Sequence, residues 1–71
     1  MTWNELKSKL KKLREPKIAG QFRNYIYQTD NNLSVSDTAL RNWHSGRSYP
    51  SAEYALLLKE FFEKMEKNEI G

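Results

Sequence analysis

The chain has 71 residues, and its 12 Lys and Arg against 9 Asp and Glu give a net charge of +3. That length suffices for one domain with a thin hydrophobic core, and no apolar run approaches the roughly 18 residues of a membrane span. The sequence contains no Cys, which excludes disulfides and thiolate metal sites. We therefore expect a single cytoplasmic domain over residues 1–67, without a signal peptide.

The first predicted helix spans about residues 3–14. Thr2 and Glu5 have the spacing of a capping box. The large apolar residues recur at helical spacing, namely Trp3, Leu6, Leu10 and Leu13. Lysines between them would also suit a helix lying on an anionic membrane. A domain this small needs that apolar stripe for its own core, so we expect no membrane contact.

The second predicted helix spans about residues 17–28 and follows Pro16, a residue that favours the first turn of a helix. Its apolar residues fall on one face, namely Ile18, Phe22, Tyr25 and Ile26. The following segment, Thr29-Asp30-Asn31-Asn32, has the short polar side chains that favour a turn.

Two further helices are predicted at about residues 37–44 and 52–67. Ser36 suits the N-cap of the third helix, and Gly46 suits the residue that closes it. Ser51 suits the N-cap of the fourth helix. That helix carries a broad apolar stripe of Ala55, Leu57, Leu58, Phe61, Phe62 and Met65. Residues 68–71 should fray.

The sequence offers little for catalysis or metal binding. Its only His is His44, which has no obvious carboxylate partner to orient it. The carboxylates lack the spacing of metal ligands, and no Gly-rich phosphate loop is present. We therefore expect a protein that is not an enzyme and that carries no metal or cofactor.

Positive charge is concentrated in the first half of the chain. Residues 1–35 carry seven Lys and Arg against three Asp and Glu, whereas residues 36–71 carry five against six. A basic half suits a polyanion such as nucleic acid. A solvated helix face would produce the same composition, so charge alone leaves both readings open.

The stretch VSDTALRNWHSGRSYP, residues 35–50, resembles the recognition helix and following loop of the Cro and phage-repressor helix-turn-helix family. The match extends over about residues 33–62, with His44 where the family often has Glu. The structural positions of the motif are Val35, Ser36, Leu40, Trp43, Gly46, Pro50 and Ser51. The resemblance implies an all-α, four-helix domain with a lambda-repressor-like helix-turn-helix. The polar segment around Thr29–Leu33 is longer than the family's tight turn.

If Leu40 and Trp43 face the core, several polar residues of the third helix face outward. We predict that Arg41 contacts a guanine edge, Asn42 an adenine edge and Thr38 either. The other candidate contacts are Asp37, Ser45, Arg47 and Ser48, with the last two placed for phosphates. The resemblance adds Lys17 and Gln21, near the start of the second helix, as phosphate contacts. Asp37 could accept from cytosine or repel phosphates, and Arg41 could instead pair with Asp37 four residues away.

Two functions follow from the resemblance. The first is a sequence-specific, Cro-like transcriptional regulator of a bacteriophage genetic switch, which binds double-stranded operator DNA as a homodimer in the bacterial host cytoplasm. The alternative is an antirepressor that binds the partner phage repressor protein and modulates its DNA binding. Asp37, the long polar turn and the near-neutral second half favour this alternative.

Overall fold

The computed structural model describes residues 1–30 and 32–67, which form an all-helical domain without strands. The helices are α1, Trp3–Lys9; a 3₁₀ helix, Leu10–Arg14; α2, Pro16–Thr29; α3, Asp37–Ser45; and α4, Ala52–Glu66. The predicted four-helix, all-α class is confirmed, and the boundaries of the last three helices lie within one residue of prediction. The predicted frayed tail, residues 68–71, lies outside the described residues.

The first helix differs from prediction in its second half, where residues 10–14 form a 3₁₀ helix. A 3₁₀ helix has about 3.0 residues per turn, so side chains three apart lie directly above one another. Leu10 and Leu13 use this alignment and are both buried. Trp3, predicted to join the same stripe, is instead 38% exposed at the start of α1.

One hydrophobic core joins all the helices. Its buried members are Leu6, Leu10, Leu13, Phe22, Ile26, Leu40, Trp43, Ala55, Leu57, Leu58, Phe61 and Phe62. Phe61 packs against two other aromatic rings of the core. Its ring centroid lies 5.3 Å from that of Phe22 and 5.4 Å from that of Phe62. No charged or polar side chain among the described residues is buried in this core.

The ends of α3 are fixed by local hydrogen bonds. At its start the Ser36 hydroxyl accepts from the Ala39 amide at 3.1 Å. At its end Gly46 adopts a left-handed conformation with φ 83°, and the Arg47 amide donates to the Asn42 carbonyl at 3.0 Å. Both predicted caps of this helix are therefore confirmed. Ser51 occupies the N-cap position of α4 but makes no side-chain capping bond, contrary to prediction.

The segment that connects α2 to α3 is attached to the body of the domain through residues 33–35. The Tyr54 hydroxyl of α4 donates to the Ser34 carbonyl at 2.6 Å, and Leu33 and Val35 pack against the core. α3 makes its most extensive contact with the 3₁₀ helix. The connection is therefore held against the core, and α3 packs mainly on the 3₁₀ helix.

Candidate nucleic-acid interface

α3 presents a polar face to solvent and an apolar face to the core. Leu40 and Trp43 are 3% and 8% exposed, as predicted. Asp37, Arg41 and Ser45 are exposed and follow one another at four-residue spacing, so they form one row along the helix. Thr38 is exposed beside this row, and Asn42 is half-buried at its edge. The structure thus brings together the five α3 residues that the sequence predicts as binding residues, and we call them the α3 polar row.

Asp37 is paired with an arginine of another helix. The Arg23 Nη2 atom of α2 lies 2.6 Å from Asp37 Oδ1. The alternative that Arg41 pairs with Asp37 is therefore wrong, because the carboxylate bonds across the domain to Arg23. An exposed ion pair of this kind stabilises a fold by less than about 1 kcal/mol. Its larger consequence is electrostatic, since Arg23 offsets the only acidic charge in the α3 polar row.

A basic depression adjoins the far end of the α3 polar row. It has a volume of about 460 Å³ and is lined by Lys11, Arg14, His44 and Ser45. Lys11 and Arg14 are three residues apart on the 3₁₀ helix, so their side chains align. They lie at the C-terminal end of α3, where the helix dipole favours cations by about 0.3–1 kcal/mol each at exposed positions.

The loop after α3 folds back against the end of that helix. The amides of Arg47 and Ser48 donate to the Asn42 carbonyl at 3.0 and 3.4 Å, and the Ser45 hydroxyl donates to the same carbonyl at 3.2 Å. These bonds hold the backbone of the loop in place. The side chains of Arg47 and Ser48 are exposed and lie beyond the Ser45 end of the α3 polar row.

The remaining residues of the motif are structural. Val35 is half-buried, and Pro50 is buried at the end of the loop. Together with Leu40 and Trp43 they fix the connection, α3 and the loop to the core. Gly46 ends α3 by its left-handed conformation.

Lys17 and Gln21 lie on a different side of α2 from Arg23. Successive residues of an α-helix are about 100° apart, so Gln21 projects about 160° and Lys17 about 120° away from Arg23. Gln21 shares its side of the helix with Tyr25, whose hydroxyl donates to Glu60 of α4 at 3.2 Å. The structure therefore does not bring Lys17 and Gln21 alongside the α3 polar row.

Trp3 of α1 and Tyr49 of the loop after α3 form an exposed aromatic pair. Their ring centroids are 5.9 Å apart in an edge-to-face arrangement, and the Lys7 ammonium lies 4.8 Å from the Tyr49 ring centroid. The two aromatic side chains are 38% and 51% exposed. The surface between α1 and the loop that follows α3 is therefore amphipathic, and it is formed by Trp3, Lys7 and Tyr49.

Sequence reasoning missed Lys11, Arg14 and Arg23 as members of this surface. The charge excess of residues 1–35 included them but did not place them. The 3₁₀ helix of residues 10–14 places positions 11 and 14 directly above one another, whereas an α-helix would offset them by about 60°, and the apolar spacing does not distinguish the two geometries. Arg23 reaches Asp37 through the tertiary fold, for which the sequence has no local signal.

The described part of the chain offers no other recognisable chemistry. It contains no group of three His, Cys, Asp or Glu side chains placed to hold a metal ion. None of its helices has the length and apolar character needed to cross a membrane. Comparisons with models of protein families, with curated proteins and with solved structures found no match for the chain.

Proposed function

We propose that this protein is a sequence-specific DNA-binding regulator of transcription, similar to Cro, that uses α3 as its recognition helix. The observation that carries the proposal is the α3 polar row with cations at both ends: Arg23 near its start, and Lys11 and Arg14 near its end. The major groove is about 12 Å wide and admits a single α-helix. A short polar helix with basic flanks suits that groove and the phosphates beside it.

Within this proposal the members of the α3 polar row have different tasks. Arg41 is exposed at the centre of the row and can donate two parallel bonds to guanine O6 and N7. Thr38 and Asn42 lie on the adjacent line of the helix, four residues apart, where they can reach neighbouring base edges. Arg47 and Ser48 contact phosphates, which position a protein without reading sequence.

The oligomeric form that we propose is a homodimer. A single α3 reads only a few base pairs, and helix-turn-helix proteins commonly extend their sites by two-fold symmetry. Binding would then occur at a palindromic operator in the bacterial host cytoplasm, as part of a phage genetic switch. The protein would act without catalysis, metal or cofactor.

Selection from a pool of random duplexes tests this function directly. The folded protein is incubated with the pool at low salt, and bound duplexes are recovered, amplified and sequenced. We expect enrichment of a short palindromic sequence, and steep weakening of binding as salt rises. Folded protein that retains no duplex at low salt would show that the proposal is wrong. Enrichment of a sequence that is not palindromic would support DNA binding but would contradict the proposed homodimer.

The second candidate function is that of an antirepressor that binds the partner phage repressor. The exposed pair of Trp3 and Tyr49 favours it, because aromatic residues are enriched at protein interfaces. Co-purification with a phage repressor protein separates the two functions. The variant Tyr49→Ser should abolish an antirepressor complex, whereas Arg41→Ala should weaken specific DNA binding and leave that complex intact.

A further inference from the structure

We propose that the basic depression between the 3₁₀ helix and the end of α3 binds the phosphodiester backbone of duplex DNA, through Lys11 and Arg14 acting together. This inference rests on the proposed function and adds a site that the motif does not include. It separates two tasks in space: the α3 polar row reads bases, and the 3₁₀ helix holds the backbone.

The 3₁₀ helix aligns the two cations. With about 3.0 residues per turn, it places Lys11 and Arg14 one above the other and turns Lys12 by about 120° to another side. Both Lys11 and Arg14 are exposed, and both line the depression, whereas Lys12 does not. The segment thus directs two of its three cations to one place.

Neither of these cations is neutralised by an acid in the described residues. The ion pairs found there join Lys9 to Glu66, Arg23 to Asp37 and the Met1 ammonium to Glu63. Within residues 1–30 and 32–67, no carboxylate lines the depression. Arg14 presents a planar guanidinium that can bind two phosphate oxygens at once, and Lys11 adds a point charge beside it.

The other two lining groups make smaller contributions. The Ser45 hydroxyl already donates its hydrogen to the Asn42 carbonyl at 3.2 Å. His44 is half-buried, so its ring offers less contact to an anion than the exposed side chains of Lys11 and Arg14. The binding of an anion in this depression therefore depends on Lys11 and Arg14.

Position indicates a DNA phosphate rather than a free anion. Ser45 belongs both to the α3 polar row and to the rim of the depression, so the two surfaces are continuous. A duplex seated on the row would bring its backbone across this rim. A duplex has about one phosphate charge per 1.7 Å of axis, so phosphates are available wherever the rim meets the backbone. The occupant is therefore the backbone of the same duplex whose bases face Arg41.

Salt dependence of binding to a duplex of random sequence provides the test, because it counts phosphate contacts without requiring the operator. The double variant Lys11→Ser with Arg14→Ser, which removes two positive charges, is compared with Lys12→Ser, which removes one positive charge from the same 3₁₀ helix outside the depression. Fluorescence anisotropy is measured between about 50 and 200 mM salt. We expect the slope of log K against log salt to fall by about two in the double variant, at about one per contact, and to change far less in Lys12→Ser.

A second double variant, Lys11→Arg with Arg14→Lys, should retain the wild-type slope, because both charges remain. Circular dichroism establishes that each variant is folded, and the single variants Lys11→Gln and Arg14→Gln replace the double variant if it is not. Wild-type binding with equal slopes for the Ser double variant and Lys12→Ser would overturn the backbone site while leaving the proposed function intact. Wild-type protein that binds no duplex at low salt would overturn both.

Discussion

The Arg23 guanidinium of α2 lies 2.6 Å from the Asp37 carboxylate in the first turn of α3. This pair spans the long connection between the two helices and places a cation beside the one acid of the α3 polar row. Because the pair is exposed, its effect on the free energy of unfolding is small. Its effect on an approaching polyanion is larger, since removal of either partner changes the charge of that surface by one unit.

The variant Asp37→Asn should therefore bind random-sequence duplex several-fold more tightly than wild type at low salt. The change removes the acid and leaves Arg23 with its full positive charge toward the phosphates. Fluorescence anisotropy measures the affinity. The matched control is Glu60→Gln, which makes the same charge change on α4, beside Tyr25 and away from α3. Equal gains in both variants would indicate a general charge effect and not a property of the α3 surface.

Arg41→Ala should weaken binding to the selected operator by about 1–3 kcal/mol and relax the base preference at one position of each half-site. The physical reason is the loss of paired bonds to a guanine edge. Selection from random duplexes, repeated with the variant, measures the relaxed preference.

Arg47→Ala serves as the comparison for Arg41→Ala, because Arg47 is predicted to contact phosphate only. It should weaken binding to operator and to random duplex by similar factors and leave the selected sequence unchanged. An identical loss of sequence preference in the two variants would contradict the division of tasks between α3 and the loop.

The two described glycines in helical context should respond to alanine with opposite signs. Gly46 has φ 83°, so Gly46→Ala should destabilise the domain by about 1–2 kcal/mol through left-handed strain. Gly20 lies inside α2 with open space around it, so Gly20→Ala should stabilise the domain by about 0.5–1 kcal/mol. Urea unfolding measures both changes, and a loss of stability in Gly20→Ala would contradict the placement of this residue within α2.

Two leucines of α4, two residues apart, should differ strongly in their contribution to stability. Leu58 is fully buried and Leu56 is 58% exposed. Leu58→Ala should cost about 2–5 kcal/mol by leaving a cavity, whereas Leu56→Ala should change stability by less than about 0.5 kcal/mol. A domain of this size has little stability to lose, so Leu58→Ala should be largely unfolded at moderate temperature by circular dichroism. Comparable losses would mean that α4 is rotated from its described orientation.

Tyr25 should titrate late in a pH series. Burial raises the pKa of its phenol above 10.0, and the hydrogen bond to Glu60 and the Glu60 charge raise it further, against a smaller lowering by Thr29. Because the folded pKa exceeds the unfolded one, this contribution to stability is complete below about pH 10. It is then lost as pH rises through the folded pKa. Absorbance of phenolate measures the titration.

In the Tyr25→Phe variant, the part of the phenolate absorbance change that occurs at the highest pH should disappear. It should remain in Tyr27→Phe, which removes a 66% exposed tyrosine. Tyr25→Phe should also reduce the pH dependence of unfolding above about pH 10. A late component that persists in Tyr25→Phe would contradict the contact between Tyr25 and Glu60.

The sequence was sufficient to predict those parts of the fold that depend on neighbouring residues. Ser36 and Gly46 mark the two ends of α3. The Ser36 hydroxyl caps the first turn and the left-handed Gly46 ends the last turn, so each acts only on residues close to it in the sequence. The outward row of α3 followed from the burial of Leu40 and Trp43, since helical periodicity leaves the other side to solvent. DNA as the partner of that row stays a prediction.

What the sequence could not supply depends on distant contacts. The local spacing offers Asp37 a partner only as an alternative role for Arg41, four residues away, whereas the partner in the structure is Arg23 on another helix. Trp3 was expected in the core by spacing alone, yet Leu6, Leu10 and Leu13 fill the inner side of the first helical segment. The 3₁₀ geometry of residues 10–14 likewise could not be read from apolar residues three apart, because α and 3₁₀ helices both bury such a pair.

The 3₁₀ segment constrains how related proteins can vary in length. One residue inserted between Lys11 and Lys12 would turn every later side chain of the segment by about a third of a circle. A lysine would then face the core, and the alignment of Lys11 with Arg14 would be lost. Homologues that keep this surface should therefore accumulate substitutions in residues 10–14 but no insertions. Length differences should collect near residues 30–32, before Leu33 and Val35 attach the connection to the core.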